Sequence, residues 1–448
     1  MRLILAMGAV AASLATGYAQ YGGPALLTRG QAPTAMGATQ IDFRPFLTVN
    51  AGYSTGLNGV SVDANGKPTE ADSLTLGVSA GVSGLHSWKH TLVGLDYRAS
   101  FSHYTKQSFF DGSEQSLSLG ITHRLSRHVT VSVRNAAGMH SQSLTTPTLL
   151  QTIPFDPLTT YIPTNDFFDN RTIYLSTQAD LRVIKSTRLS YDIGGDIFIT
   201  RRRSTALYGN YGYAARGDLQ YRLSRRSTIG AAYGYTHYEF KGILSSTDVH
   251  TASGTYAIGI SRTLEIGTVV GVSFLETKFK RVVPIDPVVA AVICPPPELS
   301  NGIPCVATQL FYARVYTPSI SARLSKTIPR GVLFLSGGHS VVPGNGLFLT
   351  SKQTNINGGY SYTGLKRWSI NTAANYSNST SVGNVLGQYA GVGLNANVAR
   401  HLRGALHFVG GAGAHQYRSQ DFRNYNRWIY NFNVGFGFTP GDIPIRLW

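Results

Sequence analysis

Charge is what this 448-residue chain has least of: 14% of its residues are Asp, Glu, Lys or Arg, against about a quarter in ordinary soluble domains. Sparse charge beside 42% apolar residues excludes intrinsic disorder, which needs the reverse balance. Long hydrophobic runs are missing as well. Beyond the N-terminus no stretch approaches the roughly 18 apolar residues that a membrane-spanning helix requires. No amphipathic helical stretch stands out either. Cysteine (2) and methionine (4) are scarce, and two thiols with no adjacent histidine make half a zinc site, so no metal is expected. Gly-x-Ser-x-Gly, His-Glu-x-x-His and phosphate-loop patterns do not occur. His103, His123, His140, His237 and His407 sit on or near strands but in no recognisable motif. No catalytic residue and no cofactor is therefore assigned.

What is present is glycine (49), tyrosine (25) and phenylalanine (20), laid out in alternation. Leu74, Leu76, Val78, Ala80 and Val82 oppose Thr75, Gly77, Ser79, Gly81 and Ser83. Val93, Leu95, Tyr97, Ala99 and Phe101 oppose Gly94, Asp96, Arg98 and Ser100. Similar segments recur to the end of the chain, where Trp428, Tyr430, Phe432, Val434, Phe436 and Phe438 oppose Asn431, Asn433, Gly435 and Gly437. A period of two is that of a strand with unlike environments on its two faces.

One basic turn keeps returning between these strands. It reads His-Arg-Leu-Ser-Arg-His at 123–128, Tyr-Arg-Leu-Ser-Arg-Arg at 221–226, Ala-Arg-Leu-Ser-Lys-Thr at 322–327 and Val-Ala-Arg-His-Leu-Arg at 398–403, with looser versions near 86–90, 184–188, 261–264 and 364–367. The connections at the other end are longer and more polar or Pro-rich: 54–72, 103–115, 141–170, 201–207, 240–250, 278–308, 340–352, 377–387 and 417–426. Eight turns and nine loops predict about eighteen strands, with sixteen as the alternative. Both chain ends then lie on the short-turn side. A propeller of similar period is set aside, because each repeat holds two long strands and not four short ones. Tight turns on one side and long loops on the other is the layout of a transmembrane up-and-down β-barrel. With no helices to cover the apolar face, lipid is its remaining partner, and in lipid a sheet must close on itself. Tyr208, Tyr211, Tyr213, Tyr221, Tyr233, Tyr235, Tyr360, Tyr362, Trp368 and Trp428 are candidates for aromatic girdles.

The N-terminus supplies a compartment. Met1-Arg2 is a basic start, Leu3 to Ala15 an apolar core, and Gly17-Tyr18-Ala19 a small-residue cleavage site. Residues 1–19 read as a secretory signal peptide. Segment 20–40 would precede a barrel over 41–438, and 439–448 would form a tail. Cys294 and Cys305 share one Pro-rich loop and read as a local disulfide in an exported chain, worth about 3 kcal/mol by loop closure.

The chain resembles Gram-negative outer-membrane barrels of the porin-like type. The alternating aromatic strand of Trp428, Tyr430, Phe432, Val434, Phe436 and Phe438 is similar to the C-terminal assembly signal of that class. The chain continues past Phe438 to Trp448, which leaves open the segment that closes the barrel. In general hairpin style, residues 41–438 are also similar to barrels associated with exopolysaccharide secretion. The resemblance implies an outer-membrane location, contact with outer-membrane lipid and lipopolysaccharide, and insertion by the barrel-assembly machinery. It implies passage of small polar or anionic solutes, or export of polysaccharide. The other readings kept open are a structural or adhesive barrel with a plugged lumen and a lipid-modifying enzyme. Nucleic acid is not an expected partner.

Formal net charge is +17, and much of it falls in the short turns: Lys89, Arg124, Arg127, Lys185, Arg188, Arg225, Arg226, Lys326, Arg330, Lys366, Arg367, Arg400 and Arg403. These residues suit anionic lipid head groups or a vestibule that gathers anions. Alternation assigns Asp96, Arg98, Arg134, Asp180, Arg182, Asp192, Asp196, Arg216 and Asp218 to the lumen as candidate pore-lining residues. They read as wall-stiffening ion pairs or as a charged strip facing an amide strip of Asn371, Asn375, Asn395, Asn397, Asn431 and Asn433. Loops 141–170 and 278–308 are apolar enough to fold into the mouth as a plug or constriction, to pair as a lid, or to form a partner-binding surface.

Overall fold

In a computed structural model, the structure describes residues 41–62, 68–106, 108, 111–140, 171–204, 207–284, 306–344, 349–362, 365, 367–382, 388–419, 426–440 and 443–445. The first nine strands are β1 (Ile41–Val62), β2 (Pro68–Ser87), β3 (Thr91–Tyr104), β4 (Gly112–Arg124), β5 (Val129–His140), β6 (Thr172–Ile184), β7 (Leu189–Arg202), β8 (Asn210–Arg222) and β9 (Ser227–Phe240). Then come β10 (Ser245–Gly259), β11 (Leu264–Pro284), β12 (Val306–Ile328), β13 (Gly331–Pro343), β14 (Thr350–Tyr362), β15 (Trp368–Ser381), β16 (Gln388–Arg403), β17 (Leu406–Ser419) and β18 (Arg427–Phe438). Each pairs antiparallel with its sequence neighbours, and β1 pairs with β18, so the sheet closes. Closure runs from Leu47↔Phe438 to Thr55↔Tyr430. The aromatic strand therefore shuts the barrel, and the three-residue β19 (Ile443–Ile445) adds to the start of β1 below it.

The alternation becomes an outside and an inside. Leu74, Leu76 and Val78 on β2, Ile193 and Ile197 on β7, and Phe432, Val434 and Phe436 on β18 are all exposed. Water-soluble monomers rarely expose apolar patches beyond a few hundred Å², and here the patch encircles the molecule. No helix among the described residues is long and apolar enough to cross a membrane; the strands cross instead. This is a closed, antiparallel up-and-down β-barrel of the kind that spans outer membranes.

The turns explain their own recurrence. In Leu125–His128, Lys185–Arg188, Leu223–Arg226 and Ile260–Thr263 the second residue is serine. Its amide donates to the carbonyl three residues on, as in Ser126 to Val129 (3.2 Å) and Ser186 to Leu189 (3.2 Å). Its hydroxyl accepts from the amide two residues on, at 3.1 Å for His128, 3.2 Å for Arg188, 3.0 Å for Arg226 and 3.2 Å for Thr263. The serine thus satisfies backbone donors that the ladder leaves over.

Several sequence-based boundaries are corrected. Arg-Leu-Ser-Lys at 323–326 stays in β12, and the turn is Pro329-Arg330. Proline's fixed φ suits the first corner of a tight turn, while as a second strand residue it would lack a ladder donor. Residues 398–403 likewise stay in β16 with an irregularity at His401/Arg403, and the turn is Gly404-Ala405, with Gly404 at φ 58°. The supposed loop 54–72 is mostly strand. Its Gly and Asn signals mark bulges between Ser54/Leu57 and Asn58/Val62. Loop 278–308 is shortened from both sides, since β11 runs to Pro284 and β12 starts at Val306. Tyr208, a girdle candidate, packs against an inner cluster and not against lipid. Residues 1–40, loop 141–170, Cys294, Cys305 and Trp448 lie outside the described residues.

Candidate functional site: the lumen wall and its mouth

Inward-facing side chains divide the lumen into zones. Among the described residues, the ten largest fully buried side chains are Tyr104, Tyr238, Leu57, Leu275, Thr75, Thr247, Thr350, Ser54, Ser73 and Ser273. All of them lie toward the loop end of their strands. The loop-end mouth is thus packed, whereas most inner-wall residues below it are half-exposed.

Two apolar clusters do the packing. One joins Phe198 of β7, Tyr238 and Phe240 of β9, Val249 of β10, Leu275 of β11 and Leu349 before β14, with Val341 and Val382 against it. The other joins Leu57, Tyr104 and Ile429 from β1, β3 and β18. Leu57 points inward because of the bulge. Tyr53 faces lipid, Gly56 takes φ 73°, and the extra residue reverses the parity beyond it. A methyl group at Gly56 would run into the Trp428 carbonyl.

The first cluster forms where the wall bends inward. Thr247 Oγ1 of β10 lies 2.7 Å from Thr277 Oγ1 of β11 and 2.8 Å from Thr350 Oγ1 of β14, four strands on from β10. The bend follows a seam. β12 pairs with β11 along Leu264–Pro284, but its pairing with β13 stops at Ile320↔His339. Thr327 N donates toward β11 at Thr263 O (2.8 Å), so by antiparallel alternation the even residues of β12 face β13. Pro318 is the next of these and has no N–H to give. The ladder ends there, and Ser340–Pro343 turn from β12 toward the cluster.

Below the mouth, all nine charged candidates lie on the inner wall, opposite exposed Tyr97, Leu181, Ile193 and Leu219. Arg98 makes a two-pronged pair with Asp96 on its own strand, at 2.8 and 3.0 Å. Arg182 Nη2 reaches Asp192 Oδ2 of β7 at 2.9 Å. Arg216 Nη2 of β8 reaches Asp180 Oδ1 of β6 at 2.5 Å, and Gln178 donates to the second Asp180 oxygen at 3.1 Å. That pair crosses above β7 at Gly194, where any side chain would overlap the Asp180 carboxylate. Arg134, Asp196 and Asp218 are partnered as well.

The amide strip is built differently. Asn375 faces Gly393, Asn395 and Asn431 face Gly413, and Asn397 and Asn433 face Gly411, each directly across the ladder. The amides lie over the glycines: Asn395 Oδ1 is 2.8 Å and Asn397 Oδ1 2.7 Å from where a Cβ would stand. Asn50 and Gly77 repeat the arrangement on β1 and β2. Asparagine opposite glycine keeps this wall thin and lined with amide faces. Alternation placed the asparagines on the inner face; their glycine partners needed the register.

The turn end is cationic. Among the described residues of the turns at 88–90, 125–128, 185–188, 223–226, 260–263, 329–330 and 404–405 there is no Asp or Glu. Arg124 and Arg222 share the inner-facing parity of their strands, and Arg323 faces Glu265 at 4.0 Å.

No protein-family model and no curated protein matches the chain. Among solved structures it is similar to Pseudomonas aeruginosa OccK5 (OpdH), with 12% identity, 90% of this chain and 98% of that one covered, and TM-score 0.40. It is also similar to the outer membrane protein opdK of the same organism (10%, 90% and 99%, TM-score 0.41). A BenF-like porin from Pseudomonas fluorescens Pf-5 aligns at 11% identity over 89% and 98%, with TM-score 0.42.

Proposed function

We propose that this barrel is an outer-membrane channel for small polar solutes, anionic or carbohydrate-like, with its short turns in the periplasm and its loop-end mouth closed in the state described. The observation that carries the reading is the polar waist. Ion pairs and amides line the wall between a cationic turn end and an apolar mouth. Same-sign charge at an opening gathers counter-ions. Below it, hydroxyls or carboxylates meet amide faces on one side and ion-paired Arg and Asp on the other. The route needs no cofactor, and its residues bind and orient without forming a covalent bond.

The closed mouth favours two other arrangements less equally. A sealed structural barrel keeps it shut permanently. Polysaccharide export requires it to open to the width of a glycan. The aromatic β18 serves as the signal for the barrel-assembly machinery in this reading, since it is also the closing strand. Planar-bilayer recording separates the cases. The wild-type channel is expected to conduct weakly, and Phe198→Ala/Leu349→Ala to conduct several-fold more. Silence from both establishes the sealed barrel. Arg98→Ala/Arg134→Ala/Arg216→Ala is expected to lose anion preference; unchanged ion selectivity removes those side chains from the pore.

A further inference from the structure

Four buried polar groups at the mouth take no part in the packing described above. They stand on the inner face of β13–β15, in two rows set by register. The lower row is Ser340, Gln353 and Ser379; the upper is Val342, Ser351 and Ser381. Ser340, Ser351 and Gln353 are 3%, 1% and 2% exposed. Ser340 Oγ, Ser351 Oγ, Ser381 Oγ and Gln353 Oε1 are sealed from solvent, yet among the described residues no hydrogen-bond partner reaches them. Elsewhere at the mouth hydroxyls find each other, as Thr247 does with Thr277 and Thr350. A buried group left unbonded forfeits the hydrogen bonds that water would give it, and native proteins keep few such groups. Four of them on adjoining strands are a cost borne by the closed mouth.

Two properties of the patch decide what would bond it. The first is neutrality. Among the described residues of β13–β15 the inner face carries no Asp, Glu, Lys, Arg or His, whereas β3–β8 hold all nine charged candidates. A bare anion meets no cation here, and a cation meets no carboxylate. The second is reciprocity. A serine hydroxyl both donates and accepts, and an amide oxygen accepts. Sugar hydroxyls, themselves donors and acceptors, complete that set. The patch spans about 10 Å across two strand spacings and about 7 Å along the strands, a footprint of one sugar ring or two. Below it the same face continues to Asn357 and Asn375 and so into the amide strip.

We propose that the opened mouth exposes this patch as a subsite for a neutral, polyhydroxylated solute, a sugar of one or two rings, and that the bound sugar holds the mouth open. A ligand shifts an equilibrium only by binding one state better than the other. Here closure withholds the very groups that the sugar bonds. The inference rests on the channel reading and narrows it: β13–β15 select neutral sugars, and anionic solutes gain nothing from this wall.

The test uses the full-length protein folded in detergent, with maltose as probe and gluconate as its charged counterpart. In Phe198→Ala/Leu349→Ala, which loosens the mouth, calorimetric titration is expected to show maltose binding at least tenfold tighter than gluconate. Adding Ser340→Ala/Ser351→Ala should weaken maltose about tenfold, the yield of one or two hydrogen bonds. In the wild-type background Ser340→Ala/Ser351→Ala should raise the denaturant midpoint, because it removes hydroxyls that closure leaves unbonded; bonded serines would lower it. In planar bilayers maltose should lengthen wild-type openings several-fold. A lowered midpoint overturns the proposal, as do maltose binding that survives the serine substitutions, gluconate bound as tightly as maltose, and openings that maltose leaves unchanged. Binding is read without current, so the two readings fail separately. A silent barrel that binds maltose loses solute passage and keeps the subsite, while one that conducts and binds no maltose does the reverse.

Discussion

The mouth and the waist of this lumen use side chains in opposite ways. At the mouth they meet across the opening. Thr247 on β10 touches Thr350 on β14, and Leu57, Tyr104 and Ile429 converge from β1, β3 and β18. At the waist they bond along the wall. Arg98 pairs within its strand, Arg182 with the next strand and Arg216 over one intervening strand, while Asn375, Asn395, Asn397, Asn431 and Asn433 lie over the glycines beside them. A barrel of this size encloses more volume than its inner side chains fill by projecting straight inward. Whether it is open or shut at a given level therefore depends on the direction in which those side chains find partners. Apolar ones have no partner along a polar wall and gather across it; charged ones find theirs on the wall itself, and the amides lie flat over glycines.

The largest predicted effect breaks the mouth. Leu275 is fully buried in the first cluster. Leu275→Ala should cost about 3 kcal/mol, the usual range for a buried leucine, read as a lower denaturant midpoint, together with raised conductance. A variant that loses stability with no rise in current would show that the cluster braces the wall without closing it.

At the waist the expected losses are smaller and current should barely rise. Arg216→Ala leaves the Asp180 carboxylate, 15% exposed, short of its charged partner. Breaking a buried pair costs about 3–5 kcal/mol, and the water of the lumen should reduce that to about 2. Gly194→Ala should lower stability in the same direction by about 1–2 kcal/mol, because its methyl occupies the space the pair crosses. If Gly194→Ala equals wild type, the pair does not depend on passing over β7. Gly413→Ala on the amide strip should cost under about 1 kcal/mol, since the atoms it meets are the ends of two asparagine side chains. Its signature is a narrower current as the amides swing inward.

The waist was legible in the sequence and the mouth was not, for a physical reason. A period of two fixes which face a residue takes, so all nine charged candidates and the asparagines could be placed on the inner wall from alternation alone. It does not fix register. Gly194 beneath an ion pair and Gly413 beneath two amides are facts about neighbouring strands. The mouth depends on departures from the period. Ser-Thr-Gly-Leu-Asn-Gly read as a loop, while in the structure Gly56 bulges a continuing strand and turns Leu57 inward. The repeated Arg-Leu-Ser-Lys read as a turn in β12, but Pro329 three residues later held the stronger claim to the corner. Leu349 and Val341 reach the first cluster because the wall folds in, which alternation cannot express.

The seam at Pro318 gives the smallest effect and joins the two regions. Pro318→Ala restores an N–H facing β13, where register places Val341. A new ladder bond is worth about 1 kcal/mol, but losing the proline frees the unfolded chain by a similar amount. Global stability should therefore scarcely move. The ladder should nonetheless lengthen, drawing Val341 toward β12 and away from Leu275 and Phe198. Hydrogen exchange would show this as a protected amide at the substituted position and slower exchange at Val341, with a modest rise in conductance as the cluster loses one member. Rapid exchange of the new amide and no change at Val341 would mean that the inward fold of β13 and β14 is set by the hydroxyl contact of Thr247 with Thr350, and that the proline accommodates a bend made elsewhere.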